Sequence, residues 1–257
     1  MTTALLDQTT VRTALVTGAS SGIGEAVARE LAAAGLTVAV HGRDAARTRA
    51  VADDIERQGG RAFPIVADLA AGAPDVRAFA AAARELLGGH VDVLVNNAGV
   101  YPGGPTESLS DDTVDALLAT NVRAPHVLVA SLAPAMATRG SGVVVNIGSW
   151  MARVGVPFMG LYPATKAAVE QLTRAWAAEY GQRGVRVVTV APGATATPGN
   201  ADSADVLAAM TQGTPAGVPV QPVDIARAVR WVVSDEAAFV NGGTLDVDGG
   251  IASTRLR

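Results

Sequence analysis

The sequence contains no cysteine, so it can form no disulfide framework, no thiolate zinc site and no cysteine nucleophile. Its three histidines, His41, His90 and His126, are scattered without metal-ligand spacing, and no metal site is expected. No run of about 18 uninterrupted apolar residues appears, which argues against a membrane span. Residues 1–10 lack the basic start and apolar stretch of a secretion leader, so the expectation is a soluble, cytoplasmic protein. A net charge of −4 offers no basic footprint for nucleic acid. Lysine is the rarest chemistry that remains. Of 20 basic side chains, 19 are Arg, and Lys166 is the only lysine.

What is present is a chain of 257 residues, 49% hydrophobic and carrying 28 glycines. That length can bury a full core. No internal repeat or linker divides it, so residues 1–257 are expected to form one domain.

The surviving lysine stands four residues after Tyr162, and Ser149 lies thirteen residues before that tyrosine. Helical residues four apart share a face, which sets Lys166 beside the phenol. A phenol with a reference pKa of about 10 is a poor acid or base at neutral pH. A neighbouring ammonium would lower it. Arginine is no substitute where a compact cation is needed. The same spacing also arises on an ordinary solvated helix, so the rest of the chain has to decide.

Residues 13–17 form a short apolar run that ends in Gly18-Ala19-Ser20-Ser21-Gly22-Ile23-Gly24, and a helical pattern follows to Gly35. A strand, a glycine turn and a helix form the context in which such glycines cradle a pyrophosphate on the helix N-terminus. Residues 36–40, 61–66, 91–95, 143–147, 185–190 and 244–247 read as further strands. The fourth runs into Asn96-Asn97-Ala98-Gly99, where Asn96 suits a strand tie and the small residues leave room for a ligand. Ser110 caps a long helix that carries Asn121 in its interior, where Asn is disfavoured without a reason. Pro163 asks that the helix bearing Tyr162 begin only a few residues earlier. Residues 198–217 are small, polar and Gly/Pro-punctuated, with a short helix near 205–210, and read as a lid.

Taken together, Thr17-Gly18-x-x-x-Gly22-x-Gly24, Asn96-Asn97-Ala98-Gly99, Asn121, Ser149 and Tyr162-x-x-x-Lys166 resemble the short-chain dehydrogenase/reductase family over nearly the whole chain. The likeness extends to its 3-oxoacyl-carrier-protein reductases and ketone or alcohol reductases. It implies an α/β, doubly wound Rossmann-type fold with a seven-stranded parallel sheet and helices on both faces. It also implies reversible hydride transfer between a nicotinamide and a ketone or secondary alcohol. Tyr162 is then the proton donor or acceptor, Ser149 a hydrogen-bond partner of the substrate oxygen, and Asn121 a support for proton resupply. Lys166 lowers the Tyr162 pKa and binds the nicotinamide ribose. Gly18, Ser20, Ser21, Gly22, Ile23 and Gly24 hold the pyrophosphate side of the dinucleotide, with Asn97, Ala98 and Gly99 along the cleft. Asp68 and Leu69 face the adenine, although Asp68 also suits a helix cap. Pro192, Gly193, Thr195 and Thr197 meet the nicotinamide carboxamide.

At the tip of the second strand, Gly42 stands where an acidic residue would bind the ribose hydroxyls and repel a 2′-phosphate. Arg43 follows and can pair with that phosphate, so NADP(H) is expected over NAD(H), with Asp44 as a competitor for Arg43. Ala178 stands where carrier-dependent reductases carry a basic residue, leaving a free ketone, a sugar or a steroid-like alcohol open beside 3-oxoacyl groups. Two other readings stay open, an NAD-linked dehydrogenase working oxidatively and a dinucleotide sensor without turnover. The resemblance also implies a homo-oligomer, dimer or tetramer, with Trp176 at the interface.

Overall fold

The computed structural model describes residues 12–254. Seven apolar runs become strands: β1 (Thr13–Val16), β2 (Thr37–Gly42), β3 (Arg61–Val66), β4 (Val93–Asn96), β5 (Gly142–Ile147), β6 (Val185–Pro192) and β7 (Thr244–Val247). They form one parallel sheet in the order β3-β2-β1-β4-β5-β6-β7. The helices are α1 (Gly22–Ala33), α2 (Ala45–Arg57), α3 (Ala73–Leu86), α4 (Asp111–Leu118), α5 (Ala124–Arg139), α6 (Leu161–Tyr180), α7 (Ala204–Thr211) and α8 (Pro222–Val233).

Strand residues alternate between two cores, because successive side chains leave opposite faces of a strand. Ala14, Val16, Val93, Val95, Val143 and Val145 join α1, α2 and α8 on one face. Leu15, Leu94, Val144 and Val187 join α3, α5 and α6 on the other. Both faces being covered, the strands read as continuous apolar runs rather than alternating ones. The edge strand β3 tolerates Pro64, whose missing N–H would cost a ladder bond in a central strand.

The strand ends differ slightly from the sequence expectation. β2 runs on through His41 and Gly42, because both pair with β3, and β6 runs on to Pro192 beside β7. β4 starts at Val93, two residues late. There Asp92 is drawn aside by the Thr13 backbone N–H, which donates to its carboxylate at 2.9 Å. The expected long helix from Ser110 is broken into α4 and α5 by a wider π turn at Ala119–Arg123. Pro125 has no N–H to donate to the Asn121 carbonyl four residues back, so the helix widens there. The run from Asp111 to Arg139 is long and apolar enough to cross a membrane, but 56% of its most apolar window is buried inside the fold. Asp68 caps no helix: α3 starts behind Gly72, and the Asp68 carboxylate instead accepts from the Ala70 N–H at 2.9 Å. Trp176, expected at a subunit contact, lies buried in the core against α5, its ring 6.2 Å from His126. Its face of α6 is the apolar one, and it points at the sheet.

Inside this core runs one chain of polar groups. Asn96 donates to Asn146 at 2.8 Å, Asn146 donates to Thr173 at 2.8 Å, and Thr173 meets Thr189 at 2.7 Å. It ties β4, β5, α6 and β6 together, as expected for Asn96. Removing the middle member leaves the buried Asn96 amide without its acceptor and costs Thr173 one of its three bonds. Asn146→Ala is therefore expected to destabilise the fold by about 2 kcal/mol, read as a lower denaturant midpoint with an unchanged slope.

Candidate active site

The strand order reverses between β1 and β4, so the loops leaving their carboxyl ends diverge and open a crevice. The Thr17 hydroxyl laces that crevice. It accepts from the N–H groups of Asn97 and Ala98 at 3.0 and 3.1 Å and donates to the Val95 carbonyl at 3.1 Å. The Asn97 amide returns across the gap to the carbonyls of Thr17 and Gly18 at 2.8 and 3.0 Å.

Above these loops α1 begins at Gly22 behind Ser21, whose side chain makes no capping bond. The first N–H groups of a helix lack internal partners, and its N-terminus carries partial positive charge. Glycine is required where α1 presses on the turn, since a Cβ on Gly24 would lie 2.2 Å from the Gly18 carbonyl oxygen. The arrangement is an anion cradle of backbone groups. Its fit to a dinucleotide is tested by what flanks it. A cleft of about 290 Å³ extends on the β2 side, lined by Ser20, Ser21, Gly42, Arg43, Asp68 and Leu69. A second cleft of about 410 Å³ extends on the β5–β6 side, reaching Ser149, Tyr162 and Lys166. Gly18 and Ala98 border the first, Gly22, Ile23 and Gly24 the second, and Ser21, Asn97 and Gly99 both. An elongated ligand with an anionic middle and two planar ends fits this groove.

In the first cleft, a Cβ on Gly42 would lie 2.3 Å from Thr48 Oγ1 and 2.8 Å from Ser20. No acidic side chain fits there. Asp44 caps α2 through the Arg47 N–H and pairs with the Arg47 guanidinium at 3.3 Å, so it does not divert Arg43. Arg47 also lines this cleft and supplies a second cation that the sequence reading missed. Its place one helical turn after Arg43 was the available signal. The reading also passed over His41. That ring is buried against Phe79 at 4.7 Å, accepts from the Gly18 N–H at Nδ1 (3.1 Å) and faces the Ala67 carbonyl with Nε2 (3.2 Å). These two bonds require the neutral tautomer protonated on Nε2.

In the second cleft, β5 delivers Ser149 and α6 starts one residue before Tyr162, as Pro163 demands. Lys166 is buried, and its Nζ donates to the Ile147 carbonyl at 2.9 Å while standing 5.9 Å from the Tyr162 ring centre. Burial lowers the lysine to about 8, which leaves it mostly charged at pH 7. The expected lowering of the phenol is not found. Burial raises Tyr162 above its ordinary value, Ser149 pulls it back in part, and Tyr101 adds to the rise. The reason is geometric: the ammonium is turned toward Ile147. Tyr101 packs edge-on to Tyr162 at 6.3 Å and donates its hydroxyl to the Gly199 carbonyl at 3.3 Å.

Asn121 lines neither cleft. Its Oδ1 accepts from the Val100 N–H at 2.9 Å, and its Nδ2 donates to the Val100 carbonyl at 2.8 Å and to Thr165 at 3.1 Å. The side chain thus fastens the loop after β4 to α6 from within the π turn. Beyond β6, Pro192, Gly193, Thr195 and Thr197 line the second cleft. Asn200 shapes this stretch, accepting from the Thr197 N–H at 2.8 Å and donating to the Thr195 carbonyl at 2.9 Å.

The short chain dehydrogenase family model matches residues 12–207. The chain belongs to the short-chain dehydrogenase family. It is 36% identical to the gluconate 5-dehydrogenase of Gluconobacter oxydans, over 93% of each chain. It is 34% identical to the 3-oxoacyl-[acyl-carrier-protein] reductase of Staphylococcus epidermidis, over 93% of this chain and 98% of that one. A solved structure assigned as an NAD(P)-dependent gluconate 5-dehydrogenase from Beutenbergia cavernae, with bound NADP at low occupancy, superimposes with a TM-score of 0.89. It is 40% identical over 95% of this chain and 97% of that one. This short-chain dehydrogenase is therefore an oxidoreductase of a family that works with nicotinamide dinucleotides on alcohol or carbonyl groups.

His41 makes the glycine turn sensitive to acid. Burial, with Arg43 adding to it, lowers its pKa from 6.5 to about 4 against the opposing pull of Ala67 and Asp68. Between those values the unfolded chain binds the proton and the folded chain does not, so stability falls as pH falls. The loss is expected to reach about 3 kcal/mol between pH 6.5 and 4. In His41→Gln that part of the acid limb should flatten, measured as chemical denaturation across pH.

Proposed function

We propose that this short-chain dehydrogenase is an NADP(H)-preferring carbonyl reductase, acting on a ketone or 3-oxoacyl-type carbonyl and forming the secondary alcohol. The single observation that carries this reading is the convergence of Ser149, Tyr162 and Lys166 in one cleft at the carboxyl edge of the sheet. The dinucleotide, when bound, supplies or accepts the hydride. Tyr162 gives its proton to the carbonyl oxygen as negative charge develops there, and Ser149 Oγ donates a hydrogen bond to the same oxygen. A phenol held above its ordinary pKa stays protonated at neutral pH, which suits the donor in the reductive direction. Lys166 contributes positive charge beside the phenol and binds the nicotinamide ribose. Asn121 holds the π turn beside Thr165 and Lys166, where the proton lost by Tyr162 is replaced.

For the cofactor ends, we assign the pyrophosphate to Gly18, Ser20, Ser21, Gly22, Ile23 and Gly24. The adenine goes to Asp68 and Leu69, and the linkers to Asn97, Ala98 and Gly99. The carboxamide goes to Pro192, Gly193, Thr195 and Thr197. Arg43 takes the 2′-phosphate with Arg47 beside it, and the absence of any room for a carboxylate at Gly42 supports the phosphate. We read the chain as one catalytic unit with a lid over about 198–217. Backbone bonds between Ala194, Ala196 and Val220 pinch that segment at its base. A cytoplasmic homo-oligomer, dimer or tetramer, completes the reading.

Tyr162→Phe is expected to lower turnover by about 10²–10⁴-fold and to retain NADPH binding. The assay is NADPH oxidation across ketones, 3-oxoesters, 3-oxoacyl thioesters and oxo sugar acids, beside a fluorescence titration of NADPH. Turnover near wild type in that variant would overturn the assignment. Arg43→Asp is expected to weaken NADPH relative to NADH by about 10–100-fold, the loss of a charge-assisted hydrogen-bonded contact. Equal discrimination by wild type and variant in paired titrations would remove Arg43 from the site.

A further inference from the structure

The walls of the second cleft and of the chamber behind it carry almost no positive charge. The four segments that build them are residues 99–110, 148–162, 193–221 and 248–254. Together they contain one basic side chain, Arg153, against Glu107, Asp202, Asp205 and Asp248. Arg153 is spoken for: it pairs with both oxygens of Asp246 and faces Glu170 at 3.6 Å. Among the described residues, the cation that lines the second cleft is Lys166, already bonded to Ile147. Beyond Ser149, Tyr162, Thr195, Thr197 and Asn200, and Ser253 and Thr254 in the chamber, most of the lining side chains are apolar. Trp150 packs with Leu207 and Met210, and Val206 presents its side chain at 55% exposure on the same face of α7. Trp150, Val206 and Met210 are shared with an adjoining chamber of about 660 Å³, bounded further by Val154, Ala209 and Ile251.

A carboxylate or phosphate lodged beyond Lys166 would be desolvated with no cationic partner in the lining. An apolar group would instead be drawn in by burial, with a few polar groups at the Ser149–Tyr162 end to orient it. We propose that the substrate is an uncharged ketone, or the matching secondary alcohol, carrying a bulky apolar arm that occupies the chamber beyond Trp150 and Met210. This rests on the carbonyl-reductase reading and narrows it. Sugar acids and other anionic carbonyl compounds are disfavoured by the same walls. Met210 and Trp150 set the width of the passage, and Ala209 sets the depth of the chamber, so these are specificity-determining positions.

Two substrate pairs test this with the full chain and NADPH. Methyl 4-acetylbenzoate and 4-acetylbenzoate share a reacting ketone and differ in charge. 2-Decalone and cyclohexanone share a ring ketone and differ in apolar bulk. The wild type is expected to show kcat/KM higher by about tenfold or more for the neutral ester over its carboxylate, and for 2-decalone over cyclohexanone. Met210→Arg should reverse or erase the charge preference. Ala209→Trp should lower kcat/KM for 2-decalone by more than it lowers kcat/KM for cyclohexanone, removing the preference. Calorimetric titration of 2-decalone into the NADPH-loaded Tyr162→Phe variant should show binding that Ala209→Trp weakens. Reduction of the carboxylate as fast as the ester, or a 2-decalone preference untouched by Ala209→Trp, overturns the inference. If only sugar acids or 3-oxoacyl thioesters are turned over in the wider assay, the inference falls and the reductase reading stands. If no carbonyl compound in that assay is reduced, the reductase reading falls as well.

Discussion

One hydroxyl holds the two halves of the sheet in register at the place where they part. Thr17 is buried at the end of β1, and its single oxygen serves two N–H donors from the loop after β4 and one carbonyl from that strand. A parallel sheet leaves the backbone groups at its carboxyl edge without strand partners, and the reversal of strand order pulls adjacent loops apart there. Without a crosslink, the glycine turn and the Asn97–Gly99 loop would be free to drift. With it, α1 is aimed across the gap and both clefts share one floor. The Asn97 amide repeats the tie from the opposite side, so the groove is stiff where an anionic ligand would need backbone donors prearranged.

The other end of the site is fixed by a second buried contact. Lys166 reaches from α6 to the last carbonyl of β5, and its neighbour Thr165 accepts from Asn121 in the π turn. Two adjacent residues on one helix thereby fasten the strand that leads to Ser149 and the helix break beside the Val100 loop. Tyr162 lies one turn earlier on the same helix, so its distance from Ser149 is set by these anchors. Burying an ammonium disfavours its charged form, and the same burial raises the phenol. The site thus holds a neutral phenol and a cation side by side near neutral pH.

Much of this was legible in the sequence because the signals were local and redundant. Strand, glycine turn and helix appear within about twenty residues of one another. Tyr162 and Lys166 lie at helical spacing, and the buried Asn96 tie follows from one polar residue in an apolar run. What escaped depended on contacts between distant segments. Burial raised Tyr162 where a lowering was expected, while Lys166 is bonded to Ile147, and no spacing along the chain shows how deep a phenol lies or where an ammonium points. Trp176 was misplaced because an aromatic on an amphipathic helix looks the same whether its apolar face meets the sheet or another subunit. His41 was set aside as a metal ligand and left just beyond the expected strand, yet it braces the Gly18 turn from within β2, which pairing with β3 extends.

The solitary lysine has a consequence for covalent chemistry. Every other basic side chain is a guanidinium, so reagents that seek a primary amine on a side chain find it at one address, buried in the second cleft beside Ser149 and Tyr162. An active ester or aldehyde reaches that nitrogen only by the route a dinucleotide would take, and only in the fraction that has lost its proton. Apart from the α-amino group of the chain, such electrophiles meet one side-chain nitrogen, and it lies within the groove.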